Sequence, residues 1–344
     1  MAKDDKLRAV LVGCGGISGA WLKSAKEMDG LEIAGLVDLR EEAARGRAEE
    51  FGLKEAVVGA DLKAVLKKTR PEIVFNCTVP EAHKEVTLAA FRSGCHVLSE
   101  KPLADTLQNA RQMVAAAQKA GRLFAVTQNY RYNPPIRRLK GLLDSGALGQ
   151  LTTINCDFYI GAHFGGFRDR MEHVLLLDMA IHTFDAARFL SGADPVSVFC
   201  REWNPAGSWY DHDASAVAVF EMTSGLVFNY RGSWCAEGLN TPWSSEWRVV
   251  GRNGSARWDG GENVAAQVVA KTGAFFSEMS DLAVAPLEMA ENETGHAGLI
   301  REFVRCVRAG AVPSTIGADN IKSLAMVFAA IQSAGRGKTI PVKC

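Results

Sequence analysis

The sequence has no run of 18 or more apolar residues, which leaves no stretch able to cross a bilayer as a helix. It has no net charge either: 39 basic side chains balance 39 acidic ones, excluding the whole-molecule basic surface that nucleic-acid binders use. None of its eight cysteines forms a CxxC pair, and their scatter fits buried or free thiols in a reducing compartment. The opening residues lack the apolar core and small-residue cleavage site of a secretory signal. A cytoplasmic protein with neither nucleic acid nor membrane as partner is therefore expected. No internal repeat or low-complexity segment interrupts the chain.

What remains is 344 residues with 47% hydrophobic side chains, enough for about two domains with sizeable cores. The first third alternates short apolar runs, such as Ala9–Val12, Leu31–Val37, Ile73–Cys77 and His96–Ser99, with helical patterns such as Ser18–Met28, Glu41–Phe51, His83–Ser93 and Thr106–Ala120. Strand–helix alternation of this kind predicts βαβ units and a doubly wound parallel sheet. After Thr127 the pattern changes. Thr152–Ile160, Val196–Cys200, Ala214–Met222, Leu226–Gly232, Trp247–Val250 and Ser255–Trp258 read as strands, the last two joined by an Asn253-Gly254 hairpin turn. Helices are expected at Pro134–Leu143, Leu175–Leu190, Gly298–Ala309 and Asp319–Ser333, while residues 259–290 show no readable pattern. The expected architecture is an α/β Rossmann domain over residues 1–127. An α+β domain with a large, mostly antiparallel open sheet follows over 128–344, for substrate binding and oligomerisation. Apolar strand residues including Val217, Val219, Val227, Phe228, Tyr230 and Trp234, with few helices to cover a broad sheet, predict an exposed sheet face and packing between copies.

Four motifs carry chemistry. Gly13-Cys14-Gly15-Gly16-Ile17-Ser18 leaves a strand and opens a helix. Gly13 permits the tight turn and Gly15 lets a pyrophosphate approach the backbone at the helix N-terminus. Asp38 ends the second strand, where a carboxylate binds an adenosine ribose and repels a 2′-phosphate. NAD is the expected cofactor, and Arg40 leaves NADP open. The second motif, Asn76-Cys77-Thr78-Val79-Pro80-Glu81-Ala82-His83, leaves a strand at its carboxyl end, so Thr78 and Pro80 would shape the nicotinamide-side loop with His83 as a cofactor neighbour. Glu100-Lys101-Pro102 also follows a strand, placing Lys101 to hydrogen-bond a substrate hydroxyl and stabilise alkoxide charge, with Glu100 positioning it. In the fourth, Asp178 and His182 share one helical face at i, i+4 spacing, with Asp185 continuing it. Aspartate beside histidine is a general-base arrangement. Without an HExxH or cysteine cluster, no metal is expected.

These motifs, in this order and together with Arg131-Tyr132-Asn133-Pro134, resemble the glucose–fructose oxidoreductase/inositol dehydrogenase/MocA family over nearly the whole chain. The resemblance implies a Rossmann domain plus an open-sheet domain, reversible NAD(P)-dependent oxidation of a sugar, inositol or related carbinol, and a dimer or tetramer. It also implies catalytic roles for Lys101, Asp178 and His182. The chain departs from the family in carrying Glu172-His173-Val174-Leu175 where members often have a glycine run, which alters the substrate-side wall. His163, Arg168 and Glu172 are candidate hydroxyl partners, and Arg131 and Tyr132 could line the cleft. The expected function is oxidation of a polyol hydroxyl, with Lys101, Asp178 and His182 handling the proton. Which of Lys101 and His182 is the base stays open. A glycosidase using transient oxidation and a non-catalytic cofactor sensor are the alternatives.

Overall fold

The structure, a computed structural model, describes residues 6–344. The chain folds as two compact units, Met1–Tyr132 with Met289–Ile321, and Asn133–Glu288 with Lys322–Cys344.

In the first unit, strands β1 (Leu7–Val12), β2 (Leu31–Val37), β3 (Val57–Gly59), β4 (Ile73–Asn76), β5 (His96–Ser99) and β6 (Phe124–Val126) pair in parallel in the order β3-β2-β1-β4-β5-β6. This is the doubly wound order whose ligand crevice opens at the carboxyl ends of the strands. The strands are apolar because both faces are covered: Ala9, Val10 and Leu11 are wholly buried. Helices α1 (Ser18–Lys26), α2 (Glu41–Glu50), α3 (Leu62–Thr69), α4 (Pro80–Arg92) and α5 (Leu107–Ala120) make the crossovers. Asp61 caps α3 through the amides of Lys63 and Ala64, and Thr106 caps α5 through that of Asn109. Helix α4 starts at Pro80, ahead of the expected His83, because proline in a first turn has no hydrogen bond to lose. The chain returns to this unit with α8 (Gly295–Ala309), whose Leu299, Ile300, Phe303 and Val304 join Leu11, Trp21 and Leu22 in one core.

The second unit holds α6 (Pro134–Asp144), α7 (Ile181–Ser191) and a sheet of β7 (Leu151–Tyr159), β8 (Pro195–Trp203), β9 (Ser215–Met222), β10 (Val227–Ser233), β11 (Glu246–Gly251), β12 (Gly254–Trp258), β13 (Val264–Lys271), β14 (Glu278–Leu282) and β15 (Ile340–Pro341). The order is β14-β13-β12-β11-β7-β10-β9-β8-β15, antiparallel except where β7 meets β10. Helix α9 (Gly317–Arg336) crosses the division between the units. Strand alternation sorts the apolar residues by face. Phe228, Tyr230 and Trp234, expected on an open sheet face, are instead buried, while Val217 and Val219 are 37% and 41% exposed. Phe220, Phe228, Trp247 and Trp258 stack in a row, and Phe184 of α7 packs its edge onto Phe220, Phe228 and Tyr230. That packing seats α7 on the sheet.

Two segments differ from the sequence expectation. Residues 175–190 are not one α-helix: Leu175–Ala180 is a π-helix and α7 begins at Ile181. The patternless stretch 259–290 contains β13 and β14, strands with little buried surface and so little apolar alternation to read.

Candidate active site

The cofactor-side residues gather at the carboxyl ends of β1, β2, β4 and β5. Gly13 has φ +90°, and a Cβ there would lie 2.6 Å from the carbonyl oxygen of Cys77, so only glycine fits. At Gly15 and Gly16 the opposite holds: a Cβ would meet nothing within 4 Å. That open backbone is what close approach of a pyrophosphate requires. Ser18 is buried, and its hydroxyl donates to the carbonyl of Gly15 at 2.6 Å, closing the loop. Ile17, at the N-cap of α1, makes no side-chain cap, so no side chain competes with an anion there for the first amides. Asp38 accepts from the backbone N–H of Cys14 at 2.8 Å and of Arg40 at 2.9 Å. These bonds fix the carboxylate beside the glycine loop and leave lone pairs for hydroxyl donors. Arg47 of α2, not singled out from sequence, donates to the carbonyl of Gly15 at 3.0 Å and braces the loop from outside. The residues present fit a dinucleotide.

A buried polar network orders the loops after β4 and β5. Asn76 Oδ1 accepts from the Thr78 hydroxyl at 2.6 Å, and its Nδ2 donates to the carbonyl of His83 at 3.1 Å and to Thr87 Oγ1 at 3.2 Å. His83 is wholly buried, with Nδ1 2.9 Å from the carbonyl oxygen of Pro102 and Nε2 3.0 Å from that of Thr78. Burial pushes its pKa below the ordinary histidine value, against the raising effect of the carbonyls of Thr78 and Pro102. The expected cofactor neighbour is thus a brace between two loops, with no ring surface left to present to a ligand. Glu100 is also buried: Oε1 accepts from Trp21 Nε1 at 2.6 Å and lies 3.7 Å from His296 Nε2, and Oε2 accepts from the Lys101 amide at 3.1 Å. Burial raises its pKa, but His296, Trp21 and Lys101 outweigh it and hold the carboxyl below the usual range. It serves the Lys101 backbone rather than a ligand. Lys101 itself is half-buried, directly after β5.

Arg131 and Tyr132, expected in the cleft, are buried in the first unit. Arg131 donates to the carbonyl of Ser314 at 2.9 Å and pairs with Asp319 at 3.6 Å; Tyr132 bonds to Glu302 and to Ser314 Oγ. Their partners lie far along the sequence, beyond the reach of motif reading.

In the second unit, the π-helix and α7 carry the expected pair. Asp178 sits in the π-helix and His182, buried, in the first turn of α7. The change of helical pitch between them replaces the regular i, i+4 face expected. Asp185 turns inward and accepts from Ser323 Oγ at 2.8 Å. Arg168 donates to Asp178 from Nε at 2.8 Å, and its guanidinium lies 4.8 Å above the rings of both Phe164 and Phe167. His163 stacks on Trp209 at 3.7 Å and bonds to Glu237 at 2.9 Å. Trp209 Nε1 and the Tyr210 hydroxyl donate to the carbonyl of Ala162 at 3.0 and 2.8 Å. Phe164 packs edge-on against Trp234 and near Trp243. Glu172 is exposed and lines a cavity of about 400 Å³ with His173, Asn204, Asp211, His212 and Asp213. The structure therefore joins Arg168 to Asp178 and keeps His163 and Glu172 in the flanking loops. Among the described residues no group of three or more metal-ligating side chains forms, and no helix is long and apolar enough to cross a membrane.

A parallel sheet with a glycine loop of this geometry, joined in sequence to a unit built on a large, mostly antiparallel sheet, is the architecture of an NAD(P)-dependent oxidoreductase. Residues 7–128 match the oxidoreductase family with an NAD-binding Rossmann fold, and residues 136–257 match the GFO/IDH/MocA C-terminal domain. The chain belongs to the GFO/IDH/MocA family. It is 27% identical to D-apiose dehydrogenase of Paraburkholderia graminis over 98% of this chain and 90% of that one. It is 26% identical to 1,5-anhydro-D-fructose reductase of Ensifer adhaerens over 97% of this chain and 98% of that one. In fold it resembles an Agrobacterium radiobacter oxidoreductase solved with NAD+, L-tartaric acid and magnesium, with a TM-score of 0.86 at 23% identity over 98% of each chain.

Proposed function

We propose that this enzyme oxidises a hydroxyl of a sugar, cyclitol or related polyol, with Lys101, Asp178 and His182 handling the proton. The observation that carries this reading is the Asp178 carboxylate, four residues before a buried histidine and held at 2.8 Å by Arg168, whose guanidinium lies over the Phe164 and Phe167 rings. Aromatic faces suit the apolar C–H faces of a sugar ring, and the arginine and carboxylate suit its hydroxyls. D-apiose and 1,5-anhydro-D-fructose, named for the two relatives, are sugars or sugar derivatives, which supports the same class.

In this scheme the glycine loop, Asp38 and Thr78 would hold the dinucleotide, with Pro80 shaping the wall beside it. The nicotinamide supplies the hydride acceptor. Lys101 donates a hydrogen bond to the substrate oxygen and stabilises its negative charge as the proton leaves. Either His182 or Lys101 would act as the base, and Asp178, itself fixed by Arg168, would orient His182. A panel of sugars and cyclitols with NAD, followed by NADH absorbance, tests the reading. Net NADH formation with at least one polyol supports it, and none with any contradicts it.

Asp38 sets cofactor preference. Asp38→Ala should weaken NAD binding about ten- to a hundredfold, in line with hydrogen bonds to charged groups worth ~1.5–3 kcal/mol, and narrow the NAD/NADP ratio by removing repulsion of the 2′-phosphate. Titration with both cofactors checks this; an unchanged ratio removes Asp38 from the ribose site.

We also infer a cytoplasmic homodimer or homotetramer packed through the outer face of the second sheet, where Val217, Val219 and Phe199 are exposed. Light scattering should give a multiple of the 37.1 kDa chain mass. A mass of one chain contradicts it.

A further inference from the structure

Three features meet at the start of the π-helix, none of them used in the scheme above. His173 has φ +53°, in the left-handed region that favours glycine. Its carbonyl accepts from the amide of Leu177 at 3.0 Å, so this residue opens the turn that carries Asp178. Its Nδ1 donates to Glu202 Oε2 at 2.8 Å, and the Glu202 side chain, on β8, is only 2% exposed. The other oxygen, Glu202 Oε1, has no hydrogen-bond partner among the described residues. Burying a carboxylate calls for a paired counter-charge, and among the described residues the Glu202 side chain has its hydrogen bond from His173 alone. Left-handed residues other than glycine and π-turns are both uncommon, and both concentrate at functional sites.

We propose that His173 is a positioning residue for Asp178: as an imidazolium it pairs with Glu202, pins the left-handed turn and so fixes the π-helix that presents the Asp178 carboxylate. The proposal rests on the reading that Asp178 serves the reaction. The groups facing His173 are Glu202 from β8, Glu172 on its own segment and Asp213 from the loop before β9, with Asp211 and His212 lining the same cavity. The hydrogen bond to Glu202 pushes the imidazole pKa above its ordinary value; partial burial pulls the other way, and the charges of Glu202, Glu172 and Asp213 add to the rise. A raised pKa means the pair is complete at lower pH and is lost as pH rises through the folded-state value. The turn should then loosen on the alkaline side.

Hydrogen exchange of the peptide covering residues 173–180, measured on the full chain and corrected for the intrinsic pH dependence of exchange, reads the turn without any substrate. Wild-type protein should be protected at about pH 6 and lose protection roughly tenfold as His173 deprotonates. Glu202→Gln should lose that protection already at the lower pH. His173→Asn tolerates the left-handed region but cannot ionise, so its protection should not change with pH. Should Glu202→Gln fail to fold, the pH profile of His173→Asn against wild type decides alone. The same pH profile in wild type and His173→Asn, or full protection in Glu202→Gln, overturns the proposal. Activity reads the separate link: if Asp178→Asn turns over like wild type while His173→Asn flattens the exchange profile, the catalytic reading of Asp178 fails and the positioning role stands.

Discussion

Replacing His182 by alanine should lower kcat by ~10²–10⁴-fold with little change in NAD affinity, the range expected if a general acid–base group is removed. Lys101→Met should give a loss of similar size, by removing the donor proposed to stabilise the developing alkoxide. The double variant should lose less than the product of the two single effects if both groups serve one proton-transfer event. The split between kcat and cofactor affinity is essential. His182 lies in the second unit, and the glycine loop, Asp38 and Thr78 that would hold the dinucleotide lie in the first, so cofactor titrations should be nearly superimposable with wild type. Single-turnover kinetics with all four proteins checks this. Wild-type kcat in His182→Ala, with hydride transfer shown to be rate-limiting, removes His182 from the mechanism. Strict additivity separates the two residues into different steps.

Gly13→Ala is expected to damage both fold and cofactor binding. The residue has φ +90°, which costs an L side chain ~1–2 kcal/mol. Its new Cβ would also lie 2.6 Å from the Cys77 carbonyl oxygen, a backbone atom that cannot rotate away. Forcing β1 and β4 apart at this point adds the ~1–3 kcal/mol typical of overpacking. The sum, about 2–5 kcal/mol, corresponds to a fall in Tm on the order of 10 °C. Displacing the loop also moves Asp38, which is tied to the Cys14 amide at 2.8 Å, so NADH binding weakens in the same variant. Thermal unfolding and a fluorescence titration measure the two effects. Gly16→Ala is the control: a Cβ there meets nothing within 4 Å, and the fold should keep its wild-type Tm. A wild-type Tm in Gly13→Ala contradicts the close-approach argument.

The Rossmann half is legible in sequence for a local reason. The inner strands are buried on both faces, so residues 9–12, 73–75 and 97–98 read as apolar runs, and the crossovers carry their own caps at Asp61 and Thr106. The glycine loop and Asp38 are legible because spacing alone fixes them. What escaped depends on distant partners. Arg131 and Tyr132 look like cleft residues until Ser314, Glu302 and Asp319 cover them. His83 looks like a ligand neighbour until the carbonyls of Thr78 and Pro102 take both of its nitrogens. The π-helix leaves no mark in the apolar periodicity of Leu175–Leu190, since one extra residue in a turn barely shifts which side chains are buried. The left-handed turn at His173 has no signal either, because the residue expected in such a turn is glycine. The β13–β14 pair lies at the sheet edge with exposed side chains, where alternation between apolar and polar residues is weakest.

Isotope tracing tests the proposed hydride transfer from a carbinol carbon to nicotinamide. A polyol substrate carrying deuterium on the reacting carbon is incubated with the enzyme and NAD, and both products are analysed by mass spectrometry. Deuterium on the reduced nicotinamide and a carbonyl product, in equal amounts, is the expected result. Deuterium returned to the sugar, with hydrolysed glycoside and no net reduced cofactor, would contradict it and point to a glycosidase that oxidises its substrate only in passing.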